Sequence, residues 1–158
     1  MAALESGTNQ AGAGALKGHT MSPIPEDYLD ILRSTALAHV ATIGPKGAPQ
    51  VSPIWFSWDG THMLFALNKI RQKYCNIQRE PRIAISIVDP TNPYRSLEIR
   101  GTAIRIDQDL GYRYLNLMSQ KYLGRAATPE EAGSEDDRVV IFVEPNQVLL
   151  FPPQGGRK

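Results

Sequence analysis

A short basic segment, residues 69–73 (KIRQK), carries the side chains in this sequence best suited to binding chemistry. It follows an apolar run, residues 63–67, that predicts a β-strand. Asn68 is a suitable N-cap and Pro81 is a stop signal, so we expect a helix over residues 69–79. Two lysines and Arg71 would then lie in the first turn, where cations oppose the helix dipole.

The predicted helix has an apolar face and a polar face. The apolar stripe, which can pack on a sheet, consists of Ile70, Tyr74 and Ile77, and the polar stripe consists of Lys69, Gln72, Lys73 and Asn76. Free backbone N–H groups and lysines together can bind a phosphate or a carboxylate, and the bound anion would offset the unfavourable placement of the cations. A solvated basic helix face is the alternative interpretation.

The composition is that of an ordinary globular domain. The chain has 158 residues, 42% of them apolar, which is enough for one domain with a sizeable core. Seventeen basic and sixteen acidic residues give a net charge of +1, so we expect no general attraction to nucleic acid or to a membrane surface. The only cysteine, Cys75, excludes an intrachain disulfide and a cysteine-cluster metal site, and we interpret it as a small packing residue. The apolar run at residues 139–143, which no other run exceeds in length, is far short of a membrane span.

Segments at the two ends are expected to be mobile. Residues 1–22 are rich in small and polar side chains and cannot bury enough apolar surface to offset the entropy of ordering. They contain no apolar stretch of a secretory signal, so we expect a cytoplasmic protein. Residues 23–152 form the predicted domain, and residues 153–158 a flexible C-terminus.

The apolar patterns between these ends predict a mainly β fold. Strands are expected at residues 36–43, 49–58, 62–67, 82–88, 94–107, 138–143 and 147–151, with the last two as one strand or a pair, and helices at residues 25–33, 69–79 and 110–123. The apolar face of the 94–107 strand changes at Gly101, which indicates a bulge or a sharp bend. In the 110–123 helix the expected buried stripe is Leu110, Tyr114, Leu117 and Met118. Consecutive strands favour an antiparallel barrel of about six or seven strands with two to four helices.

Familiar catalytic motifs are absent from the sequence. It contains no GxSxG, HExxH, GxGxxG or Walker-type pattern. Three histidines, at positions 19, 39 and 62, do not have metal-ligand spacing, so no metal is expected, and His39 is interpreted as a core or interface residue. If the protein is an enzyme, a cofactor supplies its chemistry.

Four segments make the sequence similar to a known family. Residues 37–43 (LAHVATI), 47–56 (GAPQVSPIWF), 69–82 (KIRQKYCNIQREPR) and 96–103 (SLEIRGTA) resemble the pyridoxamine 5′-phosphate oxidase-like superfamily. Within it the chain looks like the F420-dependent reductases of flavin/deazaflavin oxidoreductase group B. The resemblance covers about residues 25–151. It implies a split β-barrel of the FMN-binding type, and a homodimer with two cofactor sites at the subunit interface.

The resemblance also implies which residues bind the cofactor, coenzyme F420. The strand residues Gln50, Val51, Ser52, Pro53, Ile54 and Trp55 would run beside the tricyclic ring, with Ser52 at the ring edge. Ala66, Leu67 and Asn68 would lead to the phosphate. Lys69, Arg71, Gln72 and Lys73 would bind the phosphate and the carboxylates of the oligoglutamate tail. The loop from Asp89 to Tyr94 would lie over the site, from the same subunit or the other one.

The implied reaction is hydride transfer from the reduced deazaflavin to an activated double bond of a small organic substrate. The sequence identifies no catalytic residue, and Tyr94 or solvent is the candidate proton donor. One alternative is an FMN-dependent reductase or oxidase of the same fold, because the basic turn would serve an FMN phosphate equally well. Another is a non-catalytic protein that binds F420, a flavin or haem. A nucleic-acid module would need a wide basic surface with exposed aromatic residues, which the balanced charge does not favour.

Overall fold

The structure, a computed structural model, describes residues 23–153. The strands are β1 (Ala38–Ile43), β2 (Pro49–Ile54), β3 (Ser57–Trp58), β4 (Met63–Asn68), β5 (Arg82–Asp89), β6 (Asn92–Gln108) and β7 (Arg138–Phe151). The helices are α1 (Leu29–Arg33), α2 (Gln72–Arg79), α3 (Arg113–Leu123) and α4 (Pro129–Ala132), with short 3₁₀ turns at Glu26–Tyr28, Pro45–Gly47, Leu110–Tyr112 and Glu135–Asp137. The tail predicted at residues 1–22 and most of the predicted flexible C-terminus, residues 154–158, lie outside the described residues.

One antiparallel sheet with the strand order β2-β1-β5-β6-β7-β4-β3 forms the body of the fold. β5 alternates between a buried and an outer face, since Ile83, Ile85 and Ile87 are buried while Ser86 and Val88 are exposed. β4 and the first half of β7 are instead buried on both faces. Buried apolar side chains of β1, β4, β5, β6 and β7 meet in the main core, and Ile54 of β2 packs against it. A second, smaller cluster joins Leu64 of β4 and Val140 and Phe142 of β7 to Met118 of α3. The two end strands, β2 and β3, do not pair with each other, so the sheet stays open, and β2 and β4 line a cavity at the opening. The predicted split β-barrel is therefore confirmed.

The predicted bend at Gly101 is also confirmed. The pairing of β6 with β7 shifts register between Arg100 and Gly101 and again between Ala103 and Arg105. A Cβ atom on Gly101 would lie 2.6 Å from the carbonyl oxygen of Glu144, so only glycine allows the two backbones to approach this closely. The two C-terminal strand segments form one continuous strand, β7, whereas the predicted 49–58 strand is interrupted after Ile54 and resumes as β3.

The basic helix begins three residues later than predicted. α2 starts at Gln72, with Arg71 in the N-cap position and no side-chain cap. Asn68 remains paired in β4, and its Oδ1 accepts a hydrogen bond from the N–H of Ile70 at 2.9 Å. Asparagine favours such local turns, and this turn competes with the helix start. Lys69 and Arg71 therefore precede the helix, and only Lys73 is a cation of the first turn.

The two faces of α2 are also arranged differently from the prediction. Ile70, expected to pack on the sheet, is 80% exposed, whereas Lys73 and Asn76 of the polar stripe are buried together with Ile77. This part of the polar stripe packs on β1 and β2, where other polar side chains satisfy it. The interpretation of Cys75 as a packing residue is wrong, because its side chain is exposed. His39 is also exposed, so it is not a core residue, and an interface role stays a prediction.

α3 has a different buried stripe from the one expected at residues 110–123. Gly111 and Tyr112 have positive φ angles, and this turn changes the helix phase before α3 begins at Arg113. The carboxylate of Asp109 then accepts hydrogen bonds from the N–H groups of Tyr114 and Leu115. The buried residues are Leu115, Met118 and Ser119, whereas Leu110 and Leu117 are exposed.

Candidate functional site

The largest described cavity lies at the split of the barrel, between β2, β4 and the start of α2. Its volume is about 690 Å³, within the usual range for small-molecule sites. The lining residues are Gln50, Ser52, Pro53, Ile54, Ala66, Leu67, Ile70, Arg71, Gln72 and Lys73. Polar and cationic groups therefore meet aliphatic groups in one cavity, which we call the split cavity.

The centre of the polar side is a direct contact between Lys73 and Ser52. The Nζ of Lys73 donates a hydrogen bond to the Oγ of Ser52 at 2.7 Å, with the Ser52 carbonyl oxygen at 3.5 Å. Only 7% of Lys73 is exposed, and its pKa is lowered by burial and, to a smaller extent, by the charge of Arg71. Within residues 23–153, no carboxylate forms an ion pair with either cation. A buried ammonium without a counter-charge is costly, and an anionic ligand would offset that cost.

Backbone groups add further donors beside these two cations. The first N–H groups of an α-helix have no partner within the helix. In α2 the N–H groups of Gln72 and Lys73 make no hydrogen bond to any described residue, and the N–H groups of Tyr74 and Cys75 turn back to the Arg71 carbonyl oxygen. The start of α2 is thus a set of positive partial charges next to Arg71 and Lys73. Such an arrangement is suited to a phosphate or a carboxylate.

A buried amide, Asn76, connects the polar lining residues to β1. Its Nδ2 donates to Thr42 Oγ1 and to Gln50 Oε1, both at 3.0 Å. Its Oδ1 accepts from Gln72 Nε2 at 2.8 Å and from an Arg79 guanidinium nitrogen at 3.4 Å. Asn76 is fully buried, so this network supports the split cavity from behind.

A second, smaller cavity adjoins the aliphatic side of the split cavity. It has a volume of about 330 Å³ and shares Ile54 and Ala66 with its neighbour. Trp55 lies in its wall, and its ring stacks on Tyr122 with the centroids 5.1 Å apart. Ser119 also lines it, and the buried Ser119 Oγ has no hydrogen-bond partner among the described residues. The two cavities together provide a cationic end and an aromatic end.

Most of the residues predicted to bind the cofactor lie together in the split cavity. Those that line it are Gln50, Ser52, Pro53, Ile54, Ala66, Leu67, Arg71, Gln72 and Lys73, and Trp55 lies in the adjoining one. Val51 is 65% exposed, on the opposite face of edge strand β2. Asn68 stays in β4 and Lys69 precedes α2, where its Nζ donates to the Asp136 carbonyl oxygen at 2.7 Å, so neither lines the cavity.

Asp89 and Tyr94 do not lie on the split cavity of their own chain. The Asp89 carboxylate accepts hydrogen bonds from Thr91 and Arg95, and these interactions lower its pKa to about 2. Tyr94 follows in the β5–β6 hairpin with 77% of its surface exposed. A contact of either residue with a cofactor would require a second subunit, and it stays a prediction.

Two residues that shape the cavity are not among the predicted site residues. Ile70, predicted on the packing stripe, lines the cavity from a position outside the helix. Asn76 is predicted only as a member of the polar stripe. Its position three residues after Lys73 and four after Gln72 is the signal that would have placed it behind both.

No metal centre accompanies this arrangement in residues 23–153. Within that range no group of three or more histidine, cysteine or acidic side chains is placed to hold a metal ion. None of the described helices has the length and apolar character needed to cross a membrane.

Comparison with known proteins agrees with the fold. The profile of the pyridoxamine 5′-phosphate oxidase family matches residues 24–151. A solved F420 reductase is 40% identical over 79% of this chain and 98% of its own, with a TM-score of 0.71. HupZ from Group A Streptococcus is 25% identical over 85% of this chain and 98% of its own, with a TM-score of 0.61. A conserved hypothetical protein from Mycobacterium tuberculosis shares the fold at 20% identity over 84% of this chain and 87% of its own, with a TM-score of 0.67. A comparison with curated proteins gives no match.

The fold and cavity define a split β-barrel of the class that binds flavin-type cofactors. The chain belongs to the pyridoxamine 5′-phosphate oxidase family, because that family's profile covers nearly all of the described residues. At a coarse level this supports a flavin or deazaflavin oxidoreductase.

Proposed function

We propose that the protein is an F420-dependent reductase that transfers a hydride from the reduced deazaflavin to an activated double bond of a small organic substrate. The observation that carries the proposal is the split cavity, where Arg71, Lys73 and the free N–H groups of α2 face an aliphatic wall. The solved F420 reductase at 40% identity supports the choice of F420 over other cofactors of this fold.

The residues present fit such a cofactor. A buried Lys73 without a carboxylate partner requires a negative group, and a phosphate or a glutamate carboxylate supplies one. Arg71 is exposed at the rim and is available to an anionic tail that leaves the cavity. The wall of Pro53, Ile54, Ala66 and Leu67 offers an apolar surface for a planar ring.

The bound cofactor would supply the hydride chemistry, and the protein would supply binding and orientation. Lys73 and Arg71 would hold the anionic part, and Ser52, fixed by Lys73, would present its hydroxyl to the ring edge. Ile54, Trp55 and Ala66 would keep water from the reacting face, next to the smaller cavity where a substrate can bind. Asn68, Lys69 and Val51 have no part in this arrangement within a single chain, because they do not line the split cavity.

A homodimer with shared sites is part of the proposal. Several apolar side chains are exposed on the described chain, among them Val51 at 65%, Tyr94 at 77% and Phe151 at 53%. A shallow cavity of about 420 Å³ also crosses β1, β5, β6 and β7, with Ala41, Ile83, Ala84 and Gly101 in its floor. Apolar surface of this kind is typical of subunit contacts. In such a dimer the hairpin with Asp89 and Tyr94 would reach the partner's site. The proposed location of the dimer is the cytoplasm.

An FMN-dependent reductase or oxidase is the second candidate, and the family profile favours it. The split cavity would bind an FMN phosphate with the same cations. A non-catalytic carrier of F420 or a flavin would use the same residues without turnover.

Turnover with the two reduced cofactors distinguishes these candidates. The purified protein is mixed with reduced F420 or reduced FMN and with quinones, unsaturated lactones or other conjugated carbonyl compounds, and cofactor oxidation is followed by absorbance. We expect oxidation of reduced F420 that depends on both protein and acceptor. Oxidation of FMN alone would select the flavin candidate, and tight binding of a cofactor without turnover would select the carrier.

A further inference from the structure

We propose that Asn76, which no ligand could reach directly, is a positioning residue that fixes the hydrogen-bonding direction of two amides in the split cavity. In this arrangement Gln50 presents its NH₂ group to the ligand and Gln72 presents its carbonyl oxygen. The inference rests on the proposed cofactor site and adds a specificity device to it.

Arg79 determines the orientation of the Asn76 amide group. A guanidinium group has only donors, so it fixes which side of the Asn76 amide faces it. An Arg79 nitrogen lies 3.4 Å from Asn76 Oδ1 and 2.7 Å from the Ile43 carbonyl oxygen. The oxygen of Asn76 therefore faces Arg79, and its NH₂ group faces β1 and β2.

The orientation of the Asn76 amide group in turn fixes that of Gln50. Asn76 Nδ2 is a donor, so Gln50 must turn its oxygen toward it, at 3.0 Å. The Thr42 hydroxyl lies 3.4 Å from the same oxygen and can donate to it, while it accepts from Asn76 Nδ2. The Gln50 Nε2 makes no hydrogen bond to any described residue, and Gln50 lines the split cavity. Its two N–H donors are thus available to an acceptor such as a phosphate or ring carbonyl oxygen.

Asn76 orients the amide group of Gln72 in the opposite way from that of Gln50. Asn76 Oδ1 is an acceptor, so Gln72 must turn its NH₂ group toward it, at 2.8 Å. The Gln72 carbonyl oxygen has no partner among the described residues and is available to a hydroxyl or N–H donor of a ligand. All the hydrogen-bonding capacity of Asn76, two donors and two acceptor lone pairs, is used in this network.

An amide group whose orientation is fixed in this way distinguishes hydrogen-bond donors of a ligand from hydrogen-bond acceptors. A free glutamine can turn its amide group to suit either a donor or an acceptor. A glutamine held by a buried, saturated partner can satisfy only one of them, and the other leaves a group unpaired. The cavity would therefore accept an oxygen acceptor at Gln50 and a donor at Gln72, and disfavour the reverse.

Hydrogen exchange of side-chain amides, followed by NMR in the ligand-free protein, tests the arrangement itself. The Asn76 NH₂ protons should exchange slowly, because both donate inside the fold, while those of Gln50 exchange at least tenfold faster. Protected Gln50 protons would overturn the proposal. This part does not depend on any cofactor.

A double-mutant cycle on cofactor affinity tests the functional role. Affinities for F420 and FMN are measured for the wild type, Asn76→Leu, Gln50→Met and the double variant, each checked for a cooperative unfolding transition. Asn76→Leu should weaken binding three- to tenfold in the wild-type background and by a smaller factor in the Gln50→Met background, where Asn76 can act only through Gln72. Gln78→Leu, a similar change on the exposed side of α2, is the control and should leave affinity unchanged.

Equal losses in both backgrounds, or a Gln50→Met variant with full affinity, would overturn the positioning role. A wild type that binds neither F420 nor FMN would instead refute the proposed function, and the exchange experiment would still decide the amide directions.

Discussion

The Nζ atom of Lys73 lies 2.7 Å from the Oγ atom of Ser52, and this contact joins the first turn of α2 to edge strand β2 across the split of the barrel. Ser52 is neutral, so it satisfies a hydrogen bond of the buried ammonium but not its charge. We therefore expect a ligand of the site to supply the missing negative charge.

Replacement of Lys73 should weaken cofactor binding more than replacement of its neighbour Lys69. A hydrogen bond to a charged group contributes about 1.5–3 kcal/mol, so Lys73→Ala should raise the Kd for F420 about 10- to 100-fold. Lys69→Ala is the matched control, because Lys69 bonds to the Asp136 carbonyl oxygen and does not line the cavity. Fluorescence titrations at low and moderate salt measure both. Equal effects of the two variants would contradict the assignment of Lys73.

Affinity for the anionic cofactor should depend on the protonation of Lys73. Burial lowers its pKa in the free protein below the usual 10.5, and only the protonated form attracts an anion. Affinity should therefore decrease with rising pH at values below 10.5. Lys73→Arg keeps its charge throughout this range and should not show the decrease, although its shape changes the absolute affinity. A decrease that is the same in both proteins would assign the titration to another group.

Lys121 should make folding stability depend on pH. Its Nζ donates to the carbonyl oxygens of Leu32 and Phe56, and burial lowers its pKa to about 8. Between pH 8 and 10 the unfolded chain, with a lysine pKa near 10.5, binds more protons than the folded one, so this residue raises stability as pH rises. The Tm of the wild type minus the Tm of Lys121→Met, measured from pH 7 to 10, should become more positive as pH rises. A constant difference would contradict the lowered pKa.

Tyr122 should lower folding stability as pH rises above 10. Burial raises the pKa of its hydroxyl to about 12, from 10 in the unfolded chain, so stability decreases above pH 10. Tyr122→Phe removes this loss, and it also removes the hydrogen bonds to the Ala36 carbonyl oxygen and from the Phe56 N–H, at a cost of about 1–2 kcal/mol. Denaturant unfolding at pH 8 and pH 11 should show a smaller difference between the two proteins at pH 11. A larger difference at pH 11 would refute this prediction.

Gly101→Ala should destabilise the barrel strongly. The new Cβ would lie 2.6 Å from the Glu144 carbonyl oxygen and 2.8 Å from Val143 Cγ1, so β6 and β7 must separate, at a cost of about 1–3 kcal/mol or more. Gly60→Ala is the comparison, because its space is open and only its positive φ of 97° opposes a side chain, at about 1 kcal/mol. Free energies of unfolding in urea should rank the two variants in that order. The reverse order would show that β6 and β7 can separate at little cost.

Some features of the fold and site follow from local sequence, and others do not. The strands and the Gly101 bend were predictable, because alternation and a glycine at a change of face are local signals. The placement of Ser52 and Lys73 at one site came from the family resemblance, since no local signal joins residues this far apart in the chain. The late start of α2 was not, because the turn at Asn68 depends on its pairing with Arg138 across the sheet. The burial of Asn76 also depends on a distant partner, Thr42 in β1, that the sequence of α2 does not reveal.

An F420 site in the split cavity can be tested directly by titrating the wild-type protein with F420 and with FMN under the same conditions and following fluorescence. We expect saturable F420 binding that is tighter than FMN binding and weakens as salt is added. Binding of FMN in preference to F420, or no binding of F420, would contradict it.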